Sequence, residues 1–347
     1  MVFSIDDYDE HEAIVFHQDR ESGLKAIVGI HNTHLGPALG GCRMWPYATE
    51  EDAVTDVVRL SKGMTYKNAL SGLPYGGGKS VIIGDPRTDK SPDLFRAMGR
   101  FIESLGGRYM TAEDVGTTVE DMDIMREITS YARGTSNASG NPSPATAFGV
   151  YQGIRAAVKH RYGKDSLSGI RIAVQGLGNV GYRLAEYLVD DGAQLVIADI
   201  NDNRVSAFSQ AHGVDISSPD DIHNADVDIL APCALGASIN DHTLPEIRAS
   251  VVAGAANNQL AEPRHGLELR QRGILYAPDY AINAGGVIEV ASEGPNYSQH
   301  KVMEKVGKIY DTMSKIFARS ARENTAPELI ADRMAEERFK GNVQVAA

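Results

Sequence analysis

The chain has 347 residues, 42% of them hydrophobic, which suits roughly two domains with real cores. Its 46 acidic against 34 basic residues give a formal net charge of −12, with no lysine–arginine block, which argues against nucleic acid or an anionic membrane as partner. The acidic start M-V-F-S-I-D-D-Y-D-E lacks the basic character of a secretory or transit signal, and no run approaches the roughly 20 apolar residues that span a bilayer. Cys42 and Cys233 have no C-x-x-C partners, so neither a disulfide framework nor a zinc ribbon is expected, and His31 and His34 read as structural. A soluble, cytoplasmic protein without a metal site is the expectation.

Residues 1 to about 48 predict short strands and turns, including K-A-I-V-G-I at 25–30. The glycine-rich block L-G-P-A-L-G-G-C-R follows and ends on Arg43. Thr49 with Asp52 forms a capping-box pattern. Val54, Val57, Val58 and Met64 continue at helical spacing, which predicts a helix that delivers Lys67 at its C-terminal end. Lys67 opens K-N-A-L-S-G-L-P-Y-G-G-G-K, where two lysines flank a segment with no other charge. Gly76, Gly77 and Gly78 are poor helix and strand material, and the usual compensation is a backbone that approaches a ligand closely. At such a place, shielded from water, Lys79 could lose enough proton affinity to act as a base. A glycine turn followed by a surface lysine is the other open reading. A phosphate-binding P-loop is excluded, because Leu73 stands where that motif needs its first glycine.

Ser80 to Ile83 is a short β-prone run closed by Gly84-Asp85-Pro86. Ser91-Pro92 starts a helix with Leu94, Met98, Phe101, Ile102 and Leu105 inward, and Gly106-Gly107 stops it. Next, Y-M-T-A-E-D-V-G-T-T is strand-like up to Glu113 and Asp114. Those carboxylates either cap a helix that begins near Thr118 or serve catalysis, and both readings are open. The apolar-poor run G-T-S-N-A-S-G-N-P-S-P, from Gly134, reads as a hinge or linker, and Ser143-Pro144 starts a helix through Val150, Ile154 and Val158.

The second half opens with the strand I-R-I-A-V-Q from Ile170. It turns through Gly176, Leu177, Gly178, Asn179, Val180 and Gly181 into a helix, and the next strand ends at Asp199. Strand, glycine turn, helix and terminal carboxylate together form a dinucleotide-binding fingerprint. Gly176 makes the tight turn, Gly178 admits the pyrophosphate, Gly181 allows close helix–strand packing, and the helix N-terminus faces the phosphates. Further runs at 228–232, 251–254 and 273–277 complete a doubly wound parallel sheet. Asn257, Asn258 and Asn283 fall at strand C-termini, where such sheets bind ligands, although each is equally an ordinary turn-former. From Lys301 a long amphipathic helix is predicted, with Val302, Val306, Ile309, Met313, Ile316 and Phe317 on one face. Another short helix follows beyond about residue 325.

From about residue 10 to the last helix, the ordered blocks resemble the amino-acid dehydrogenase family of glutamate, leucine, phenylalanine and valine dehydrogenases, and its leucine enzymes most. The blocks include G-P-A-L-G-G-C-R-M-W, G-M-T-Y-K-N-A, G-G-G-K-S-V-I-I-G-D-P, T-A-E-D-V-G-T-T, G-N-P-S-P, A-V-Q-G-L-G-N-V-G, A-P-C-A-L-G-A and A-I-N-A-G-G-V-I. The resemblance implies an α/β protein of two domains with a cleft between them that closes on the substrate. Residues 1–134, joined by the tail 325–347, would form the substrate and catalytic domain, 135–144 the linker, and 145–324 the Rossmann-type NAD-binding domain. It also implies that Lys67 binds the substrate α-carboxylate, that Lys79 is the catalytic lysine and that Asp114 transfers protons. Thr146, Asn257 and Asn283 would meet the nicotinamide end, and Asp199 the adenosine ribose. Leu39, Gly40, Met64, Ala112, Val287 and Val290 would wall the side-chain pocket. Two positions depart from the leucine enzymes: Cys42 replaces a threonine or similar residue, and Glu289 replaces an asparagine. Strand alternation would put Glu289 on the face of Val287; helical geometry, which we favour there, would not.

The resemblance implies an NAD-dependent oxidative deamination of branched-chain L-amino acids, leucine first, by a homo-oligomer whose size the sequence does not give. Leu39 stands where the glutamate enzymes carry a lysine, so glutamate should be rejected. Asp199 favours NAD over NADP, with Arg204 the nearest following arginine. The rivals are the same reaction on phenylalanine and a catalytically silent NAD-sensing regulator, against which the joint presence of Lys67, Lys79 and Asp114 argues.

Overall fold

The computed structural model describes residues 2–5, 8–234 and 236–341. Met1, Asp6, Asp7, Leu235 and 342–347 lie outside the described residues, and with them one position of the A-P-C-A-L-G-A block and the end of the expected tail. The chain divides into two compact units. One comprises the chain up to Pro142, Val287–Ser298 and the chain from Met334; the other comprises Ser143–Gly286 and Gln299–Arg333.

The first unit is built on β1 (Ala13–Asp19), β2 (Leu24–Asn32), β3 (Ala38–Trp45), α1 (Glu50–Leu70), β4 (Gly76–Ile83), α2 (Pro92–Ser104), β5 (Tyr109–Glu113) and α3 (Val119–Arg126). Its mixed sheet has the order β1-β2-β4-β3-β5, with β3 parallel to both β4 and β5. Strand alternation sorts β2 between two layers. Leu24, Ala26, Val28 and Ile30 pack with Phe95, Met98, Phe101 and Ile102 of α2. Ile27 packs with Val54, Val57 and Val58 of α1. Thr49 and Asp52 make both bonds of a capping box at the start of α1, and Lys67 lies in its last turn.

The three glycines before Lys79, expected to be poor strand material, form strand. They are β4 residues, and the strand begins at Gly76 rather than Ser80. Their missing side chains make room for protein: a Cβ on Gly77 would overlap the Thr65 backbone of α1, and one on Gly78 would come within 2.8 Å of the Tyr109 ring. Close helix–sheet packing here outweighs glycine's poor strand propensity.

The second unit contains α4 (Ser143–Tyr162), β6 (Arg171–Gln175), α5 (Asn179–Asp190), β7 (Gln194–Ala198), α6 (Asp202–His212), β8 (Asp215–Ile216), β9 (Ile229–Pro232), β10 (Val251–Val252), α7 (Arg264–Gln271), β11 (Leu275–Tyr276) and α8 (Asp279–Ile282). Its strands are parallel in the order β11-β10-β9-β6-β7-β8, the doubly wound arrangement that the glycine turn implied. Helix α9 (Gly285–Ala291) carries the chain back to the first unit.

The helix expected from Lys301 is instead two. α10 (Gln299–Gly307) and α11 (Ile309–Glu323) are interrupted at Lys308, next to Gly307, whose backbone is the least constrained in that stretch. All six predicted inward residues are buried nonetheless. Helix α12 (Pro327–Phe339) ends in the first unit, where Glu336 accepts a hydrogen bond from Tyr66 and the Phe339 ring packs edge-on to it. Among the described residues no helix is long and apolar enough to cross a membrane.

Candidate active site

Strand register assembles the first part of the site. Leu39 pairs with Gly77 and Met110, and Gly41 pairs with Ala112. Because side chains alternate, Leu39, Gly41 and Arg43 of β3 share a sheet face with Gly77 and Lys79 of β4, the face that α1 covers. Asp114, just past the end of β5, reaches this face. Its Oδ2 lies 2.8 Å from Lys79 Nζ and 3.1 Å from Arg43 Nε. The Lys79 side chain is 7% exposed, so the surface-lysine reading is excluded.

The two carboxylates of T-A-E-D-V-G therefore sit in different fields. Burial works to raise the Asp114 pKa, but the charges of Lys79 and Arg43 outweigh it and hold the carboxyl below its usual range. Glu113 is pushed up, first by burial and then by Glu120 and Asp114. Neither caps the following helix: Thr118 and Asp121 form that capping box. Gly41 is small of necessity, since a Cβ there would lie 2.7 Å from Asp114 Cβ and 3.3 Å from Lys79 Nζ.

Apolar residues gather beside the pair. Leu39, Ala112 and Val290 form one buried cluster, with Val287 packed against it. Gly40 adjoins Met64, whose Cγ would be 3.1 Å from a Cβ at that position. Tyr75, Met110 and Ala291 complete the cluster and were not singled out from the sequence. Strand alternation from Ala112 was the available signal for Met110, and helical spacing from Val287 the signal for Ala291. Arg43 was noted only as the end of a glycine block; no local pattern announces a partner 71 positions away.

Residues 287–291 are helical, so Glu289 leaves the Val287–Val290 face. It is 5% exposed and accepts a hydrogen bond from the Tyr297 hydroxyl at 3.1 Å, and burial raises its pKa. Glu293, one turn on, accepts from the amides of Gly134 (2.9 Å) and Ser139 (3.1 Å) and from the Ser139 hydroxyl.

In the second unit, Gly176 has φ of +97°, a Cβ on Gly181 would overlap the Gly176 carbonyl, and a Cβ on Gly178 would meet nothing. Leu177, Asn179 and Val180 complete the turn. Gly178 is the N-cap of α5 and supplies no side-chain cap, so the first amides of the helix are left for an anion. Space at Gly178 and an uncapped helix start are what a dinucleotide pyrophosphate requires. Asp199 follows β7 directly; its carboxylate accepts from the amides of Leu177 (2.6 Å) and Asn201 (2.8 Å). Arg204 Nη1 lies 3.8 Å from Asp199 Oδ2. The Asn283 amide nitrogen donates to Asn257 Oδ1 at 2.7 Å and to the Ala255 carbonyl at 3.0 Å. Thr146 is in the first turn of α4, where its Cα would be 2.8 Å from a Cβ on Gly285. The candidates thus fall in two groups: Leu39, Gly40, Met64, Lys67, Lys79, Ala112, Asp114, Val287 and Val290 in the first unit, and the glycine turn, Thr146, Asp199, Asn257 and Asn283 in the second. Among the described residues, no group of three or more His, Cys, Asp or Glu side chains could hold a metal ion.

A parallel sheet with a dinucleotide-type glycine turn, joined to a unit with a buried lysine–carboxylate pair, defines the class of a nicotinamide-dependent dehydrogenase. The Glu/Leu/Phe/Val dehydrogenase dimerisation-domain family matches residues 11–131, and the Glutamate/Leucine/Phenylalanine/Valine dehydrogenase family matches 139–204 and 197–338. The chain belongs to this family of amino-acid dehydrogenases. It is 55% identical over 334 residues to a leucine dehydrogenase of Geobacillus stearothermophilus, covering 95% of this chain and 91% of that protein. It is 50% identical over 335 residues to a valine dehydrogenase of Streptomyces virginiae, covering 95% and 94%. Among solved structures, the L-tryptophan dehydrogenase from Nostoc punctiforme superposes with a TM-score of 0.85 at 43% identity, over 95% of this chain and 96% of that one.

Proposed function

We propose that the protein catalyses the NAD-dependent, reversible oxidative deamination of branched-chain aliphatic L-amino acids, leucine first, to 2-oxo acids and ammonia. The observation that carries this is the Lys79–Asp114 pair at 2.8 Å on the same sheet face as Leu39, with Ala112, Val287 and Val290 packed around that leucine. The family relation, including leucine and valine dehydrogenases at 50% identity or above, supports the same reading.

Lys67 pairs the substrate carboxylate and fixes the orientation of Cα, which removes most of the entropic barrier to reaction. A bound nicotinamide would supply the acceptor for the Cα hydride, and the substrate would be left as an iminium. Lys79 holds and activates the water that attacks it. Asp114 exchanges protons with the amino nitrogen, so that ammonia departs from the carbinolamine. The two fixed side chains stabilise the charges that develop, in a site where little water competes. A glutamate side chain against Leu39 would lose its hydration and gain no counter-charge, whereas an aliphatic chain gains about 0.8 kcal/mol per buried methylene.

Asp199 supports NAD over NADP, since a carboxylate accepts from the ribose 2′-hydroxyl and repels a 2′-phosphate. The test is a set of initial rates for leucine, valine, isoleucine, phenylalanine and glutamate, with NAD and NADP in parallel. We expect leucine with NAD to give the highest kcat/KM. Glutamate turned over as well as leucine would remove the pocket assignment, a phenylalanine preference would remove only the aliphatic one, and equal use of NADP would remove the role of Asp199. No NAD reduction with any amino acid would favour the regulatory alternative.

A further inference from the structure

The glycine block ends on an arginine for which the reaction above has no task, and its surroundings supply one. The Arg43 guanidinium is a fork between two carboxylates: Nε donates to Asp114 Oδ2 at 3.1 Å and Nη1 to Asp56 Oδ2 at 2.9 Å. The Tyr47 hydroxyl donates to that same Asp56 oxygen at 2.6 Å. On the inner side, Lys79 Nζ shares Asp114 Oδ2 with Arg43. A continuous chain of charge-assisted hydrogen bonds therefore runs Tyr47–Asp56–Arg43–Asp114–Lys79. Its outer end opens on a cavity of about 440 Å³ that Arg43, Tyr47, Asp56 and Arg59 help to line. A planar guanidinium with two fixed partners has one orientation, which a lysine on a flexible stem would not have.

We propose that Arg43, braced by Asp56 and Tyr47, is a positioning residue of the reaction: it fixes the Asp114 carboxylate beside Lys79 and sets the electrostatic field in which the pair exchanges protons. This rests on the assignment of Lys79 and Asp114 above. The groups that face Asp114 are few. Lys79 comes from β4, Arg43 from β3, Glu113 from β5 and Asp56 from α1 behind Arg43; the Cys42 thiol and Tyr109 lie on the other face of the sheet, within electrostatic reach of Asp114, and Asp121 of α3 acts on Cys42. Burial pushes the Cys42 thiol up to about 12 and raises the Tyr109 and Tyr47 phenols, so these stay neutral. Removing the Arg43 cation must raise the proton affinity of Asp114, and removing the Asp56 anion that Arg43 also serves must lower it.

The experiment is the pH profile of kcat/KM for oxidative deamination by the full-length protein, for the unmodified chain, Arg43→Gln, Arg43→Lys and Asp56→Asn, with Asp114→Asn as reference. Arg43→Gln should lower kcat about tenfold or more, change the amino-acid KM by less than about threefold and move the limb that reports the pair upward by about one unit. Asp56→Asn should move the same limb downward. Arg43→Lys should restore the limb and only part of the rate, because a point charge cannot hold both carboxylates. If Arg43→Gln does not fold, the direction of the Asp56→Asn shift decides alone. Limbs that stay put in folded variants while Asp114→Asn is inactive would overturn the role of Arg43 and leave the parent mechanism standing. An active Asp114→Asn would overturn the parent mechanism itself.

Discussion

Glu113 and Asp114 are chemically near-identical neighbours, yet their surroundings move their pKa values in opposite directions. Two cations converge on one oxygen of Asp114, and Glu113 meets burial and like charge instead. That asymmetry keeps Asp114 ionised between the two cations, which is compatible with the proton-transfer role proposed for it. Asp114→Asn should reduce kcat by about 10² to 10⁴, as should Lys79→Ala, with NAD affinity little changed, since the glycine turn belongs to the other unit. Stopped-flow turnover alongside NAD titration checks both, and a variant that kept most of its rate would lose its assigned role. His31 makes a residue-scale prediction about stability. It is 5% exposed, with Nδ1 2.8 Å from Thr65 Oγ1, and burial, helped by His11, lowers its pKa to about 4 from an unfolded value of 6.5. The unfolded chain therefore binds the proton first as pH falls. Stability should be unaffected by His31 above pH 6.5 and decline by up to about 3 kcal/mol as pH drops from 6.5 to 4. Denaturant titrations across that range should show His31→Gln flattening the decline; equal slopes in both proteins would refute the assignment.

At the scale of elements, β4 packs closely against the last turns of α1, which bring Lys67 and Lys79 into one unit. Gly77 has no room for a methyl group against the Thr65 backbone, whereas a Cβ on Gly63, on the exposed side of the same helix, would meet nothing. Gly77→Ala should lower stability by about 1–3 kcal/mol or more through overpacking, and should reduce activity by displacing Lys79. Gly63→Ala should raise stability by about 0.5–1 kcal/mol through helix propensity. Thermal melts of the two variants give opposite signs if this packing is right. The same contact explains why the glycine run misled as sequence: poor strand propensity is local, and the helix that demands it lies elsewhere in the chain. The Lys308 break between α10 and α11 was likewise hidden, because the inward pattern continues across it without a gap.

At the scale of the whole molecule, the family relation of residues 11–131 is to a dimerisation domain, which supports the homo-oligomer expected from the family resemblance. Light scattering at micromolar concentration should return a multiple of the 37.4 kDa chain mass. A monomer of full activity would refute it. A net charge of −12 makes any weak charge repulsion between copies salt-dependent, so the measurement belongs at physiological ionic strength.

The sequence by itself determined the elements whose signals are local. Capping residues at Thr49 and Ser91 placed helix starts, period-3.6 apolar spacing placed inward faces, and the strand–glycine–helix order from Ile170 specified a parallel nucleotide-binding sheet. It also supplied the site candidates, through ordered blocks shared with a family. Only the tertiary structure decided which candidates share a charge or a wall. The pairing of Asp114 with Lys79 and Arg43, and the return of Val287 and Val290 to pack on Leu39, depend on residues far apart in the chain. The physical reason is that capping, periodicity and turn geometry act over a few residues, whereas electrostatics and packing act over a few ångströms, and only the folded backbone converts one distance into the other.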